Sequence, residues 1–140
     1  MTTVGAIIAY MLIPKRGKKI SKTKLKNKAD ILFSLYIRNR DKMCVRCHRT
    51  APYQLHCAHI ITRANLRLRF DPMNAYCLCS LCHRWWHDSP TESGKWFEET
   101  FPINYDYLLK NKNKIEKPDY QEVVGSLKKL LESDYVTDKP

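Results

Sequence analysis

Apolar residues recur at spacings of three and four in two long stretches of this 140-residue chain. This spacing places apolar side chains along one side of an α-helix, so both stretches predict amphipathic helices. The second of these helices follows Asp119, which is a favourable N-cap. Glu122, three residues later, completes a capping box. The apolar stripe of the first helix, at 21–40, is Leu25, Ala29, Leu32, Phe33, Tyr36 and Ile37. The stripe of the second is Val123, Val124, Leu127, Leu130 and Leu131.

Shorter elements are predicted between these two helices. We expect a strand at 53–61 and then a polar loop at 62–72. A helix should start near Asn74 or Leu78 and end at His87. Two further short helices are predicted at 91–100 and 103–110.

Ten apolar residues at 4–13 form a separate segment near the N-terminus. They are too few to span a bilayer. They also lack the basic flank and the small-residue cleavage site of a signal peptide. A β-strand or a short buried segment is the preferred interpretation, with a weak signal anchor as the alternative.

Charge is distributed unevenly along the chain. The net charge is +11, but residues 1–70 contain 16 Lys and Arg against 2 Asp and Glu, which is +14. Residues 71–140 contain 9 against 12, which is −3. A basic half predicts nucleic acid as the partner, because lysine and arginine neutralise phosphates and release counterions. The alternative, a solubilising surface, would need much less charge.

Four of the six cysteines form two Cys-x-x-Cys pairs, Cys44 with Cys47 and Cys79 with Cys82. Two such pairs are typical of a zinc site, and four thiolates leave no position open to substrate. We therefore predict a structural Zn²⁺. Unmetallated thiols, or disulfides in a secreted protein, are the alternatives. The other two cysteines, at 57 and 77, are predicted to be small buried hydrophobic residues.

A second set of polar residues lies in the same part of the chain. His59 is followed after 14 residues by Asn74, after 8 more by His83, and after 3 more by His87. The last two histidines lie one helical turn apart, so they face the same side of the predicted helix. Each residue also has a structural interpretation. His59 could be a core histidine, Asn74 a helix N-cap and His83 a further zinc ligand.

Together these residues resemble the HNH, or ββα-metal, endonuclease superfamily with a zinc-knuckle frame. The resemblance covers residues 44–87, with Ala58-His59-Ile60-Ile61 between the two cysteine pairs. The spacing of the histidines and the asparagine also resembles that of the colicin DNase domains. A weaker resemblance, at 25–33, 36–41 and 65–71, is to phage recombination nucleases of the NinG (Rap) type.

The resemblance implies a metal-dependent phosphodiester hydrolase. His59 would be the general base that takes a proton from the attacking water. Asn74 would hold the ring of His59 or fix the surrounding loop. His83 and His87 would bind a catalytic divalent cation, Mg²⁺, Mn²⁺, Ni²⁺ or Zn²⁺, at the scissile phosphate. The phage resemblance implies action on branched DNA in the cytoplasm of a bacterial host, and a junction-cutting enzyme with two active sites would be a homodimer.

One position departs from the family pattern. Many members carry an acidic residue or a histidine as a metal ligand immediately before the base, where this chain has Ala58. His56 lies on the same face of the predicted strand and is the candidate third ligand. Arg63, Arg67 and Arg69 are candidate phosphate-binding residues, because the guanidinium fork matches phosphate oxygens. A solvated basic loop is the alternative for these arginines.

The predicted protein is therefore α+β, with a small zinc-stapled ββα-metal core, a basic N-terminal helix and C-terminal helices. We divide the chain into an apolar segment with a basic linker (1–20), a nuclease core (21–90) and a helical extension that packs on the core (91–140). The predicted function is metal-dependent DNA cleavage, with no membrane partner. One alternative is a non-catalytic zinc-stabilised DNA-binding module. Another is a zinc domain that docks onto a protein through its acidic C-terminal half.

Overall fold

The computed structural model describes residues 19–50 and 53–137, so the segment predicted at 4–13 lies outside the described residues. The described chain is mixed α+β, with five α-helices and a two-stranded sheet, and none of these helices has the length and apolar character needed to cross a membrane. In chain order the elements are α1 (Lys22–Asp41), β1 (Leu55–His59), a 3₁₀ turn (Pro72–Asn74), β2 (Ala75–Cys79), α2 (Ser80–Asp88), α3 (Pro90–Thr100), α4 (Pro102–Asn111) and α5 (Tyr120–Thr137).

The chain forms two compact units. The central unit is Ile37–Pro118, and the terminal unit combines the chain before residue 37 with the chain from Asp119 onward. Helices α3 and α4, assigned from the sequence to a C-terminal extension, belong to the same unit as the sheet and α2. Only α5 of that extension belongs to the terminal unit.

The two long predicted helices are confirmed. In the terminal unit, α1 buries Ala29, Leu32 and Phe33, and α5 buries Leu127 and Leu131. These residues belong to the predicted apolar stripes, which is the pattern expected when one face of each helix is removed from water. The predicted N-cap is also present, since Asp119 Oδ1 accepts hydrogen bonds from the N–H groups of Gln121 (3.0 Å) and Glu122 (3.3 Å).

The predicted strand at 53–61 is present as β1, which is shorter at both ends, and it pairs antiparallel with β2. The register places Cys57 opposite Cys77 and His59 opposite Ala75. A helix start at Asn74 was wrong, because residues 75–79 form β2 and α2 begins at Ser80. All five residues of β2 are buried, so the strand lacks the polar–apolar alternation of a half-exposed strand.

The last turn of α1 is tied to β2 by two adjacent side chains. Arg40 donates to the carbonyl oxygens of Pro72 (2.9 Å) and Ala75 (2.8 Å). Asp41 Oδ2 accepts the backbone N–H of Cys77 at 2.8 Å. These contacts, all within the central unit, satisfy backbone groups at an edge of the sheet that would otherwise need another partner.

The short helices predicted at 91–100 and 103–110 are confirmed as α3 and α4. Each begins with a proline, whose fixed φ suits the first turn and whose missing N–H is not needed there. Phe101, between the two helices, stacks on Tyr76 of β2 with ring centroids 4.3 Å apart. Phe97 contacts the same tyrosine edge-on at 5.9 Å. This aromatic packing supports the strand that leads into α2.

Candidate metal centre and histidine site

Four cysteines converge at one end of the sheet. Cys44 and Cys47 lie in the turn after α1, Cys79 is the last residue of β2, and Cys82 is in the first turn of α2. Their four sulfur atoms all lie within 4.8 Å of one another. Cys47 Sγ and Cys79 Sγ are 3.7 Å apart. A tetrahedral zinc site with Zn–S bonds of about 2.3 Å has sulfurs about 3.8 Å apart, so these residues fit a metal ion such as zinc.

The turn that carries Cys44 is shaped by its backbone. Cys44 donates its N–H to the carbonyl oxygen of Arg49 at 2.9 Å, and its own carbonyl accepts the N–H of His48 at 2.8 Å. His48 has a φ of 63°, in the left-handed region that only a minority of non-glycine residues adopt. The N–H of Val45 donates to the carbonyl oxygen of Cys77 at 2.9 Å, which fixes this turn at residues 44–49, here called the knuckle, against β2.

The sulfurs of the cluster differ in how readily they ionise. Burial raises the pKa of Cys47, and it raises that of Cys82 to about 12 although a hydrogen bond from Arg46 opposes the rise. Burial opposes ionisation of Cys44, but backbone N–H groups of Cys47, Cys79 and Arg46 lower its pKa to about 7. The N–H of Cys82 also points at Cys79 Sγ, at 3.5 Å. Hydrogen bonds from N–H groups stabilise the charged form of sulfur, which is the form that binds metal.

The two remaining cysteines face each other across the strands and lie outside this cluster. Cys77 is buried, as predicted, whereas Cys57 is partly exposed. Burial raises the pKa of Cys57 to about 12 and that of Cys77 to about 11. Both are therefore thiols at neutral pH, and their position outside the set of four mutually close sulfurs separates them from the candidate metal site.

Three imidazole rings form a row beside the sheet. His56, on β1, has its Nδ1 3.0 Å from Nδ1 of His83. The other nitrogen of His83, Nε2, lies 3.1 Å from Nε2 of His87, one turn further along α2. Burial, followed by the charges of His87, His56 and His59, lowers the pKa of His83. A lowered pKa keeps this imidazole neutral, which is the state that binds metal.

Two nitrogens of this row have the spacing of ligands to one cation. With metal–nitrogen bonds of about 2.1 Å, neighbouring ligands lie about 3.0 to 3.4 Å apart at octahedral and tetrahedral angles. The 3.1 Å between Nε2 of His83 and Nε2 of His87 is in this range. His56 instead faces the opposite nitrogen of His83. Among the histidine, cysteine, aspartate and glutamate side chains of the described residues, only the four cysteines form a set of three or more whose ligand atoms all lie close to one another.

His59, the last residue of β1, is oriented by a backbone carbonyl. Its Nε2 is 2.9 Å from the carbonyl oxygen of Arg69. A carbonyl oxygen only accepts, so Nε2 must carry the proton and Nδ1 is the basic nitrogen. The carbonyl thus sets the tautomer of His59.

Asn74 is fully buried at the end of the 3₁₀ turn and holds the loop after β1. Its Oδ1 accepts the N–H of Ile61 at 2.8 Å, and its Nδ2 donates to the carbonyl oxygens of Ile61 (2.9 Å) and Leu68 (3.0 Å). Every hydrogen-bonding group of this side chain except one lone pair is therefore used within the loop. The N-cap of α2 is Cys79 and not Asn74.

The three loop arginines have different surroundings. Arg67 forms ion pairs with Asp71 (3.6 Å) and Glu116 (2.8 Å). Arg69 Nη1 donates to the carbonyl oxygen of Arg63 at 2.9 Å. The Arg63 side chain is exposed, so of the three it is the most accessible to a phosphate.

Three features of the site were not predicted. Ala58 is fully buried in an apolar cluster with Leu78, so a polar ligand at this position would displace core packing. Arg46 contacts the Cys82 sulfur, and a cation inside a Cys-x-x-Cys turn was the available signal for it. The contact of His59 with the backbone carbonyl of Arg69 could not be predicted, because the pattern of residue types carries no information about the position of backbone groups.

Comparison of the chain with protein-family models, with curated proteins and with solved structures found no match.

Proposed function

We propose that this protein is a metal-dependent DNA endonuclease of the HNH type. The observation that carries the proposal is the arrangement of three histidines in the central unit. His59 is held in one tautomer by a carbonyl oxygen, and the pair His83 and His87 presents two nitrogens at the spacing of metal ligands. His59 is also close enough to His83 for its charge to contribute to the lowered pKa of His83.

The chemistry assigns a task to each of these side chains. Nδ1 of His59 accepts a proton from the attacking water, and the ring keeps its orientation through the bond from Nε2–H to Arg69. His83 and His87 would hold a divalent cation, which would supply stabilisation of charge on the phosphoryl group and on the leaving oxygen. Asn74 fixes the loop from Ile61 to Leu68, and that loop leads to the carbonyl that orients His59.

His56 supports the metal site through His83. A cation held at Nε2 of His83 would leave the ring proton on Nδ1, which could then donate to Nδ1 of His56, 3.0 Å away. Such a bond fixes the ring orientation of a metal-binding histidine. This geometry favours an orienting role for His56 over the third-ligand role inferred from strand alternation.

The substrate that we propose is inferred from the positive charge of the chain. The chain carries +14 on residues 1–70, and Arg63 is exposed in the loop between His59 and Asn74. Contacts of lysine and arginine side chains with phosphates bind DNA without reading its sequence. We propose duplex or branched DNA as the substrate. The phage recombination role, and the homodimer that junction cleavage would require, rest on the resemblance alone.

The experiment is a nicking assay on supercoiled plasmid. Protein with its zinc site loaded is freed of exchangeable metal, and Mg²⁺, Mn²⁺ or Ni²⁺ is then added. We expect nicking only after metal addition, and loss of nicking in His87→Ala. His48→Asn is the matched control, because His48 is an exposed histidine of the knuckle and asparagine tolerates its left-handed φ. Equal nicking by His87→Ala would contradict the metal assignment.

The main rival is the non-catalytic DNA-binding module. It predicts salt-sensitive DNA binding by wild type with no cleavage under any metal. The same plasmid, assayed for binding by gel shift, separates the two functions.

A further inference from the structure

Arg46, between the two cysteines of the knuckle, contacts both the cysteine cluster and the middle of α2. Its Nη1 is 3.5 Å from Cys82 Sγ. Its guanidinium carbon lies 3.6 Å from the ring centroid of Trp85, which is a close face-on stack. The planar guanidinium can do both at once, because its N–H groups point outward in the plane while its faces remain available to a ring.

The charge of a loaded cluster gives this contact a function. Four thiolates around one Zn²⁺ carry a net charge of about −2. Three of the four cysteines are buried, where an uncompensated charge is costly. Arg46 has its cationic group directly at one of these sulfurs. Arg49, three residues along, has its guanidinium carbon 5.1 Å from the Tyr53 ring instead.

The stack on Trp85 connects the cluster to the histidine pair. Trp85 is in α2, two residues after His83 and two before His87. The face of an indole ring attracts a cation electrostatically, so this contact holds the two side chains together. The side chain of Arg46 therefore fixes the central turn of α2 against the knuckle, in addition to the link that a metal ion bound by the four cysteines would supply through Cys82.

We propose that Arg46 is a positioning residue that stabilises the metal-loaded cysteine cluster by charge and holds α2 in place through Trp85. The proposal rests on the cluster binding zinc and not on nuclease activity. It can therefore be tested without DNA, and a failure of the endonuclease proposal would leave it standing.

The first test is zinc affinity, measured by competition with a chromogenic chelator. We expect Arg46→Ala to bind zinc about 10- to 100-fold more weakly, the usual effect of removing a group that supports metal ligands. Arg46→Gln, which loses the charge but keeps a planar donor, should also weaken binding at least fivefold and serves if the alanine variant does not fold. Arg49→Ala is the matched control. Affinity within twofold of wild type for the Arg46 variants, or an equal loss in Arg49→Ala, would overturn the proposal.

The second test separates stacking from charge. Arg46→Lys keeps the cation but loses the planar face, so zinc affinity should fall by less than in Arg46→Ala. Amide hydrogen exchange in α2 of the zinc-loaded lysine variant should nevertheless accelerate at least fivefold, with α4 unchanged. Unchanged exchange in α2 would refute the positioning role of Arg46 through Trp85.

Discussion

Asn74 offers the sharpest test of how the loop after β1 is held. Asn74→Ala removes three hydrogen bonds. It leaves the N–H and C=O of Ile61 without their partner, whereas the C=O of Leu68 still accepts the N–H of Asp71 at 3.2 Å. The site is fully buried, and each orphaned group costs about 1 to 3 kcal/mol, reduced where water enters the space left behind. With two orphaned groups we expect a loss of about 2 to 4 kcal/mol in the free energy of unfolding, which shifts the equilibrium by roughly 30-fold or more.

Tryptophan fluorescence during urea unfolding measures this loss in the right part of the chain. All three tryptophans, Trp85, Trp86 and Trp96, lie in the central unit that contains Asn74. Asn65→Ala is the control in the same loop. It removes the bond from Asn65 to the carbonyl of Lys112, at an exposed site, and a 3.2 Å bond from the Leu68 N–H, so about 1 kcal/mol is expected. A loss below 1 kcal/mol in Asn74→Ala would refute the role assigned to Asn74.

Further predictions concern neighbouring contacts. Asp41→Ala should lower the free energy of unfolding by about 2 kcal/mol in urea, because the Cys77 N–H loses its acceptor; an unchanged midpoint would show that this bond is dispensable. Tyr107→Phe, which removes a 2.5 Å bond to Asp71, should cost about 1 kcal/mol and leave nicking unchanged. Ile115→Gln, at a residue 99% exposed, should stay within about 0.5 kcal/mol of wild type, and a larger loss would reveal a hidden contact. Removing zinc with a chelator should abolish the near-UV circular dichroism of the tryptophans, and a retained signal would mean that the central unit folds without metal.

Sequence patterns predicted the parts of the fold that depend on local periodicity. The apolar stripes of α1 and α5 and the N-cap at Asp119 are local, so the prediction was close to the observed elements. Strand β2 was harder, because both of its faces are buried and a continuous apolar run carries no period. The sequence instead favoured a helix start near Asn74 or Leu78, whereas residues 75–79 form β2 and α2 begins at Ser80.

The candidate site was predictable in its residue types but not in its contacts. The two Cys-x-x-Cys pairs identified all four members of the cysteine cluster that could bind a metal ion. The partners of Arg67 illustrate the limit. Its closest ion-pair partner, Glu116, is 49 residues away in the chain, and nothing local in either segment signals the pair. His56 contacts Nδ1 of His83 and not the two Nε2 atoms that His83 and His87 bring together. This contact likewise depends on where α2 lies against β1, which strand alternation alone does not determine.

The most direct test of the central claim compares DNA cleavage by wild type and His59→Ala. Both proteins carry zinc, both are assayed with saturating Mg²⁺, Mn²⁺ or Ni²⁺, and DNA affinity is measured in parallel. We predict that the variant binds DNA within twofold of wild type and cleaves at least 100-fold more slowly, because it lacks the group that takes the proton from water. Equal cleavage rates, or no cleavage by wild type despite intact binding, would contradict the account.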